Sequence, residues 1–276
     1  MVLSISYLYY IQLKKTINES RGKSNDKSMK LKLISFNIRC CDDKDGNSIA
    51  ERAPRLAEIT KKYDAGIIAF QEYTVPWEKE IEKFYPEYDM FSKYRSQHEL
   101  EAAPILWKKD MFELIDSGYF WLSDTPNVES RGWDEKYNCW RMCEYVVLKH
   151  IESGKIFTHM NTHYGFGDKG QVASSKLIYE YSKKISQNPT FITGDFNMLL
   201  NSCGYIEMVK HFTDVNAVTV NDRRTTYHGY GTVNDEHIDY CFIDDKIKPI
   251  SLKLIDELVD GKYPTDHYGL YVELEF

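Results

Sequence analysis

Side chains able to hold a hard cation, grip phosphate or move a proton fall at the ends of apolar runs along this 276-residue chain. Asn37 closes KLKLISFN, Glu72 closes GIIAFQE, His163 closes a run at NTH, and Asp195 and Asn197 stand in GDFN. Asp239 lies in HIDY, and Asp266 with His267 opens the last run, TDHYGLYVELEF. Strand mouths are where a rigid scaffold meets loops that admit a substrate, so polar groups collected there can build a site. Each alone has a plainer use. Glu72 could cap a helix or face solvent, and GDFN could be an Asx-turn. His150 and His159 read as ordinary flank residues, and His228 is open to either use. The weight comes from the set occurring in one order.

The residue types share one chemistry. Glu72 with Asp266 and Asn37 offers hard oxygens and no thiolate, which suits magnesium or manganese rather than zinc. A divalent ion so held polarises a phosphoryl oxygen and offsets charge that builds in the transition state. Two histidines, each with a carboxylate available as orienter, suit in-line attack of water on phosphorus. Asn197 and Asn37 can donate to phosphate oxygens without titrating.

Strands and helices must position these groups. Alternation marks KLKLISFNI as a strand, and IAERAPRLAEITKKY carries Ile49, Ala53, Leu56 and Ile59 at helical spacing. GIIAFQE is a short buried strand and WEKEIEKF a second helix. APILWKKDMFELIDSGYFWL divides into two strands at a charged turn. CEYVVLKHIESGKIFTHMNTH is a hairpin turning at Ser153-Gly154. VASSKLIYEYSKKIS is helical with Leu177, Tyr181 and Ile185 on one stripe, TFITGDFN is a strand, and GYIEMVKHF is a helix. HIDYCFI, SLKLIDE and YGLYVELEF complete the strands. Many strands interleaved with few helices, and no dividing linker, indicate sheets covered by helices in one domain. Residues 1–28 form an extension outside it. Their apolar part, VLSISYLYYIQL, is too short to span a bilayer, and the remainder of the extension is polar without periodicity. The domain runs over residues 29–276.

Composition removes some classes. A net charge of -7 gives no global basic field, so nucleic acid would be gripped locally or through a metal. Six cysteines make no CxxC pair, which disfavours structural zinc and suits reduced thiols in the cytoplasm. The plentiful Trp and Tyr, among them Trp121, Trp133, Trp140, Tyr164 and Tyr230, could stack on a base or sugar. Most are expected in the core.

LISFNIR, AFQE, NTH, GDFN, HIDY and TDH, in this order, resemble the motifs of the endonuclease/exonuclease/phosphatase superfamily over about Lys30 to Phe276. FWLSDTP, RGWD and TTYHGYG are similar to a bacterial branch on its deadenylase-like side. The resemblance implies a four-layer α/β/β/α sandwich of two mixed, mostly antiparallel sheets with a site at one edge. It makes Glu72 the principal metal ligand, with Asn37 and Asp266 close to the ion, and implies magnesium, with manganese as substitute. Asp195 and Asn197 would position water and phosphate, His267 would be the general base held by Asp239, and His163 would bind or protonate a phosphoryl oxygen. Glu101 matches the carboxylate that orients that histidine. Arg39 stands where abasic-site endonucleases carry an Asp, which argues against that activity. The expected activity is Mg2+-dependent hydrolysis of a phosphodiester, in the manner of a nuclease, or of a phosphomonoester. A phosphatase or phospholipase acting on a small metabolite or lipid headgroup is the alternative, and an inactive binding module ranks last. Expected partners are a phosphate-ester substrate, single-stranded nucleic acid among the candidates, with no stable membrane insertion and a monomeric protein.

Overall fold

The alternating runs pair into two sheets of six strands each in a computed structural model that describes residues 28–276. All but Ser28 of the expected extension therefore lies outside the described residues. One sheet runs β13 (Lys248–Ile255), β14 (Gly269–Glu275), β1 (Lys30–Asn37), β2 (Ile67–Gln71), β6 (Ile105–Lys108) and β4 (Tyr88–Phe91). The other runs β11 (Thr213–Asp214), β12 (Asp239–Ile243), β10 (Thr190–Asp195), β9 (Ile156–His163), β8 (Met142–His150) and β7 (Phe112–Trp121). A short ladder of β3 (Tyr73–Thr74) with β5 (Glu101–Ala102) stands beside them. Met29 exchanges backbone hydrogen bonds with Phe276, so the sheet begins at that residue.

Alternation along the strands divides the core into layers. Leu31 and Leu33 of β1 face the second sheet and pack with Leu148, Phe157 and Phe191. Ile34 and Phe36, on the opposite face, pack beneath α1 (Ile49–Lys62) and α2 (Val75–Phe84) with Leu56, Ile59 and Trp77. The outer face of the second sheet, with Phe120, Met160 and Ile192, is covered by α3 (Asp168–Ile185) and α4 (Cys203–Met208). This is the four-layer α/β/β/α sandwich. Each large side chain so buried contributes about 1.5–3 kcal/mol.

Three local expectations shift. The buried face of α3 is Gln171, Ser174, Ser175, Ile178 and Ser182, whereas Leu177, Tyr181 and Ile185 flank it, half-buried. Small residues let this helix approach closely: a Cβ on its Gly170 would lie 2.0 Å from the carbonyl oxygen of Trp133. The helix expected over GYIEMVKHF ends at Met208. Strand β4, half-exposed at a sheet edge, lacks the alternation that would announce it.

Each sheet is antiparallel except for its central pair, β1 with β2 and β9 with β10. Parallel strands end on the same side, and these pairs end in register: Asn37 opposite Gln71, and His163 opposite Asp195. The antiparallel neighbours begin where those strands end, which brings Asp239 opposite Asp195 and the Asp266-His267 turn to the end of β1. A polar bridge crosses between the sheets below this edge. Gln71 Nε2 donates to Asn161 Oδ1 (2.8 Å), and Asn161 Nδ2 donates to the carbonyls of Phe70 and Ala103 (2.8 and 3.0 Å).

Candidate active site

Asn37 joins the two sheets at this edge. Its Nδ2 donates to Glu72 Oε1 and to Asp195 Oδ2, both at 3.0 Å, and the second bond spans 158 residues of sequence. Its own Oδ1 accepts from the backbone N–H of Arg39 (3.0 Å). Glu72 Oε2 accepts from the N–H of Cys40 (2.8 Å). The loop that supplies this donor is clamped by the buried Arg52, which donates to the carbonyls of Arg39 and Cys41 at 3.1 and 2.7 Å. Glu72, Arg39 and Asn197 all have left-handed backbones, with φ of 61°, 62° and 48°. Asparagine tolerates this region, but Glu72 and Arg39 are strained there, and such strain gathers at functional sites. Gly194, just before Asp195, is required by close approach: a Cβ would lie 2.2 Å from the Thr162 carbonyl oxygen.

Both histidines meet Asp195. His267 Nε2 lies 3.8 Å and His163 Nε2 3.6 Å from Asp195 Oδ2. His267 Nδ1 donates to Asp239 Oδ2 at 2.9 Å, with both side chains buried. Burial pulls this imidazole toward neutrality, but Asp239, Asp195 and Asp266 outweigh it and push its pKa up to about 10. Asp195 is itself raised, chiefly by burial and by Asp239. Asp195 Oδ1 accepts from the Asn197 N–H (2.9 Å), so GDFN is an Asx-turn as well as part of the site. Asn197 Nδ2 donates to the Tyr164 carbonyl (3.0 Å). Asp266 lies 3.6 Å from Arg39 Nε and accepts from Thr265 Oγ1 (3.2 Å).

His163 has a neighbour that sequence reasoning missed. Glu101 Oε1 is 3.3 Å from its Nδ1, but Arg95 Nη2 is 3.1 Å from the same nitrogen and also pairs with Glu101. An arginine only donates, so we assign Nδ1 as acceptor and place the ring proton on Nε2, facing Asp195. Burial, with the charges of Arg141 and Arg95, holds this histidine well below its ordinary pKa, so it is neutral. With Nδ1 an acceptor, the Glu101 carboxylate does not bond to it and acts on His163 through Arg95, with which it pairs.

The residues fit a divalent cation. One ligand atom each from Glu72, Asp195 and His267 lies within 4.8 Å of the others, and two of the three are hard carboxylate oxygens. Asn37 holds both carboxylates, and Asp266 borders the same cleft. That cleft measures about 670 Å³. Arg95, Lys136, Tyr137, Arg141 and Phe166 also line it, none of which the strand-end pattern could mark because they lie on loops or just before a strand. Of the remaining histidines, His159 is core, pushed down to about 3 by burial and bonded to Thr193 Oγ1 (2.8 Å). His228 is buried between Tyr263 and Tyr268. Trp121 and Tyr164 are core, as expected of most aromatics.

Fold and site together define an α/β sandwich with a carboxylate–histidine centre at one sheet edge. The chain belongs to the Endonuclease/Exonuclease/phosphatase family, whose sequence model matches residues 34–267. No curated protein matches the chain. Among solved structures it is similar to an endonuclease/exonuclease/phosphatase from Bacteroides vulgatus, with 26% identity over 90% of this chain and 99% of the other (TM-score 0.82). It is also similar to a mannosyl-6-phosphatase of Bacteroides thetaiotaomicron, with 25% identity over 89% and 100% of the two chains (TM-score 0.78). D. rerio TDP2 complexed with single-strand DNA product shares the fold at 18% identity, over 89% and 98% of the chains (TM-score 0.71).

Proposed function

We propose that this protein is a phosphoesterase that works with magnesium or manganese and cleaves a small phosphorylated compound by in-line attack of water. The observation that carries this reading is the meeting of Asn37, His163 and His267 on Asp195 Oδ2, with Glu72 tied to the same asparagine. Glu72, with Asp195, Asn37 and Asp266 beside it, would hold the cation, which would supply charge stabilisation for the phosphoryl oxygens and would offset the field that keeps a proton on His267. His267 Nε2 takes the proton of the attacking water, because Asp239 holds Nδ1–H and so leaves Nε2 as the acceptor. Asp195 and Asn197 orient water and phosphate. His163 donates its Nε2–H to a phosphoryl oxygen, and being neutral it does so without giving up charge.

The likeness to a phosphatase at 25% identity supports a compact substrate. Cleavage of a phosphodiester in single-stranded nucleic acid is a second reading, favoured by the aromatic lining of Tyr137, Phe166 and Tyr227. We place the protein in the cytoplasm, in keeping with its six free cysteines. Among the described residues no helix is long and apolar enough to cross a membrane. The test is a hydrolysis panel of sugar phosphates, phosphoinositides, sphingomyelin, RNA and single- and double-stranded DNA, each with magnesium, manganese or chelator. Activity that persists in chelator rejects the reading. Glu72→Ala is expected to abolish hydrolysis and also the rise in Tm on adding metal, while the fold is retained.

A further inference from the structure

Cys40 and Cys41 stand side by side in the loop that leaves β1, and the mechanism above uses neither thiol. Their Sγ atoms lie 3.6 Å apart. Cys41 is exposed, whereas Cys40 is half-buried and lines the reaction cleft. The backbone of the pair is held at three points. The Cys40 N–H donates to Glu72 Oε2 (2.8 Å), the Cys40 carbonyl accepts from Thr74 Oγ1 (2.8 Å), and the Cys41 carbonyl accepts from Arg52 Nη2 (2.7 Å). Thr74 follows Glu72 closely in sequence, so the cysteine loop and the strand-end carboxylate are tied together twice.

A disulfide holds its sulfurs about 2.05 Å apart, so these two need to approach by about 1.5 Å. The bond closes a small ring through the peptide that joins the two residues. Consecutive Cα atoms are about 3.8 Å apart, less than the roughly 4.4–6.8 Å of ordinary disulfides. Such a bond is strained, and strained or exposed disulfides are the ones readily reduced. A vicinal pair therefore suits reversible oxidation rather than the stapling of a fold, and transient disulfides of this kind are the ones found in reducing compartments. The ring contains the Cys40 carbonyl and the Cys40 Cα. Drawing the sulfurs together thus displaces the two groups by which Thr74 and Glu72 hold this residue.

We infer that Cys40 and Cys41 are a modification site, closing to a reversible vicinal disulfide that loosens Glu72 and weakens cation binding. The oxidant is a low-molecular-weight disulfide. Cys41, the more accessible thiol, attacks one of its sulfurs and expels a small thiolate. Cys40 then attacks Cys41 Sγ in the mixed disulfide and expels the second. In sum one S–S bond breaks and one forms, the two cysteines are oxidised, the two small thiols are reduced, and the cysteine protons leave with them. A thiol reductant runs the exchange backwards. The disulfide itself needs nothing from the phosphoesterase reading, and its effect on the cation rests on that reading.

The test treats the full chain with oxidised glutathione, and peptide mass mapping reads the bond as the loss of both thiol hydrogens from the fragment that carries the pair. Manganese binding is followed by calorimetry before oxidation, after it, and after dithiothreitol. Oxidation should raise the manganese dissociation constant about 10–100-fold, the scale on which disturbing a partner of a metal ligand acts, and dithiothreitol should restore it. Cys41→Ser, or Cys41→Ala where the serine variant folds poorly, should bind manganese like the reduced wild type with or without oxidant. A stable glutathione adduct in place of the internal bond, an oxidised protein whose manganese affinity stays within about threefold of the reduced one, or an equal loss in Cys41→Ser would overturn the inference and leave the phosphoesterase reading standing. Reduced protein that binds no manganese would remove the cation site, and the inference with it, whatever the mass map shows.

Discussion

Replacing Asp239 by Asn isolates the proton-transfer half of the proposed mechanism. The wild-type contact is a 2.9 Å bond between two buried side chains, His267 and Asp239, at 4 % and 3 % exposure. A charge-assisted bond of this kind is worth about 1.5–3 kcal/mol, which corresponds to roughly 10–150-fold in rate when the imidazolium forms. An amide can also turn its NH2 toward Nδ1, which forces the ring proton onto Nε2 and removes the base. The ceiling is then the full contribution of a general base, about 10²–10⁴-fold. We expect the plateau of kcat/KM to fall by about 10²–10³-fold. The pH profile has its own sign. Asp239 raises the proton affinity of His267, so its loss makes the base available at lower pH, and the acidic limb should shift down while the plateau drops. The assay is kcat/KM for p-nitrophenyl phosphate across the pH range in saturating magnesium, with Tm checked at each pH. A plateau within about threefold of wild type, or a limb that does not move, would refute the assignment of His267 and Asp239 as base and orienter.

Asn161→Leu should destabilise the protein by about 3–5 kcal/mol in urea, because it takes its donor from the carbonyls of Phe70 and Ala103 and leaves Gln71 Nε2 with Ser35 Oγ as its one remaining acceptor between the sheets; a loss under about 1 kcal/mol would show that the bridge is dispensable. Glu144 is fully buried, and although it accepts from the N–H groups of Ala103 and Lys93 (2.8 and 3.1 Å), burial pushes its pKa up to about 8. A carboxyl raised in the folded state contributes stability that is complete below its unfolded pKa and is lost as pH rises through the folded value. Wild-type stability relative to Glu144→Gln should therefore fall by a few kcal/mol between about pH 4.5 and 8, and unfolding curves giving a pH-independent difference would contradict this.

Much of the site was visible from sequence because its members sit at strand ends, where alternation stops and a polar residue takes over. Asn37, Glu72, His163, Asp195, Asp239 and His267 all carry that mark, and the structure brings them to one edge. Arg95 and Arg141 do not: one lies in a loop, the other just before β8, and neither interrupts a periodic pattern. Gln71 and Asn161 did leave a signal, as polar residues in strands that should be apolar, but a strand tolerates such residues unless a facing sheet buries them. The stripe on α3 was misplaced because hydrophobicity alone favours Leu177 and Tyr181, whereas close packing chose the serines.

Near-neighbour effects thus determined the strands, the main helices, the turns and the chemical kind of the strand-end residues. These depend on period, turn chemistry and side-chain type, which are written locally. Tertiary structure decided the rest. Pairing β1 with β2 and β9 with β10 in parallel, and facing the two sheets, puts Asn37 3.0 Å from Asp195 across 158 residues. Only that meeting of the sheets gives His267 its raised proton affinity, which arises from the charges of Asp239 and Asp195, supplied by distant segments, acting on a buried ring.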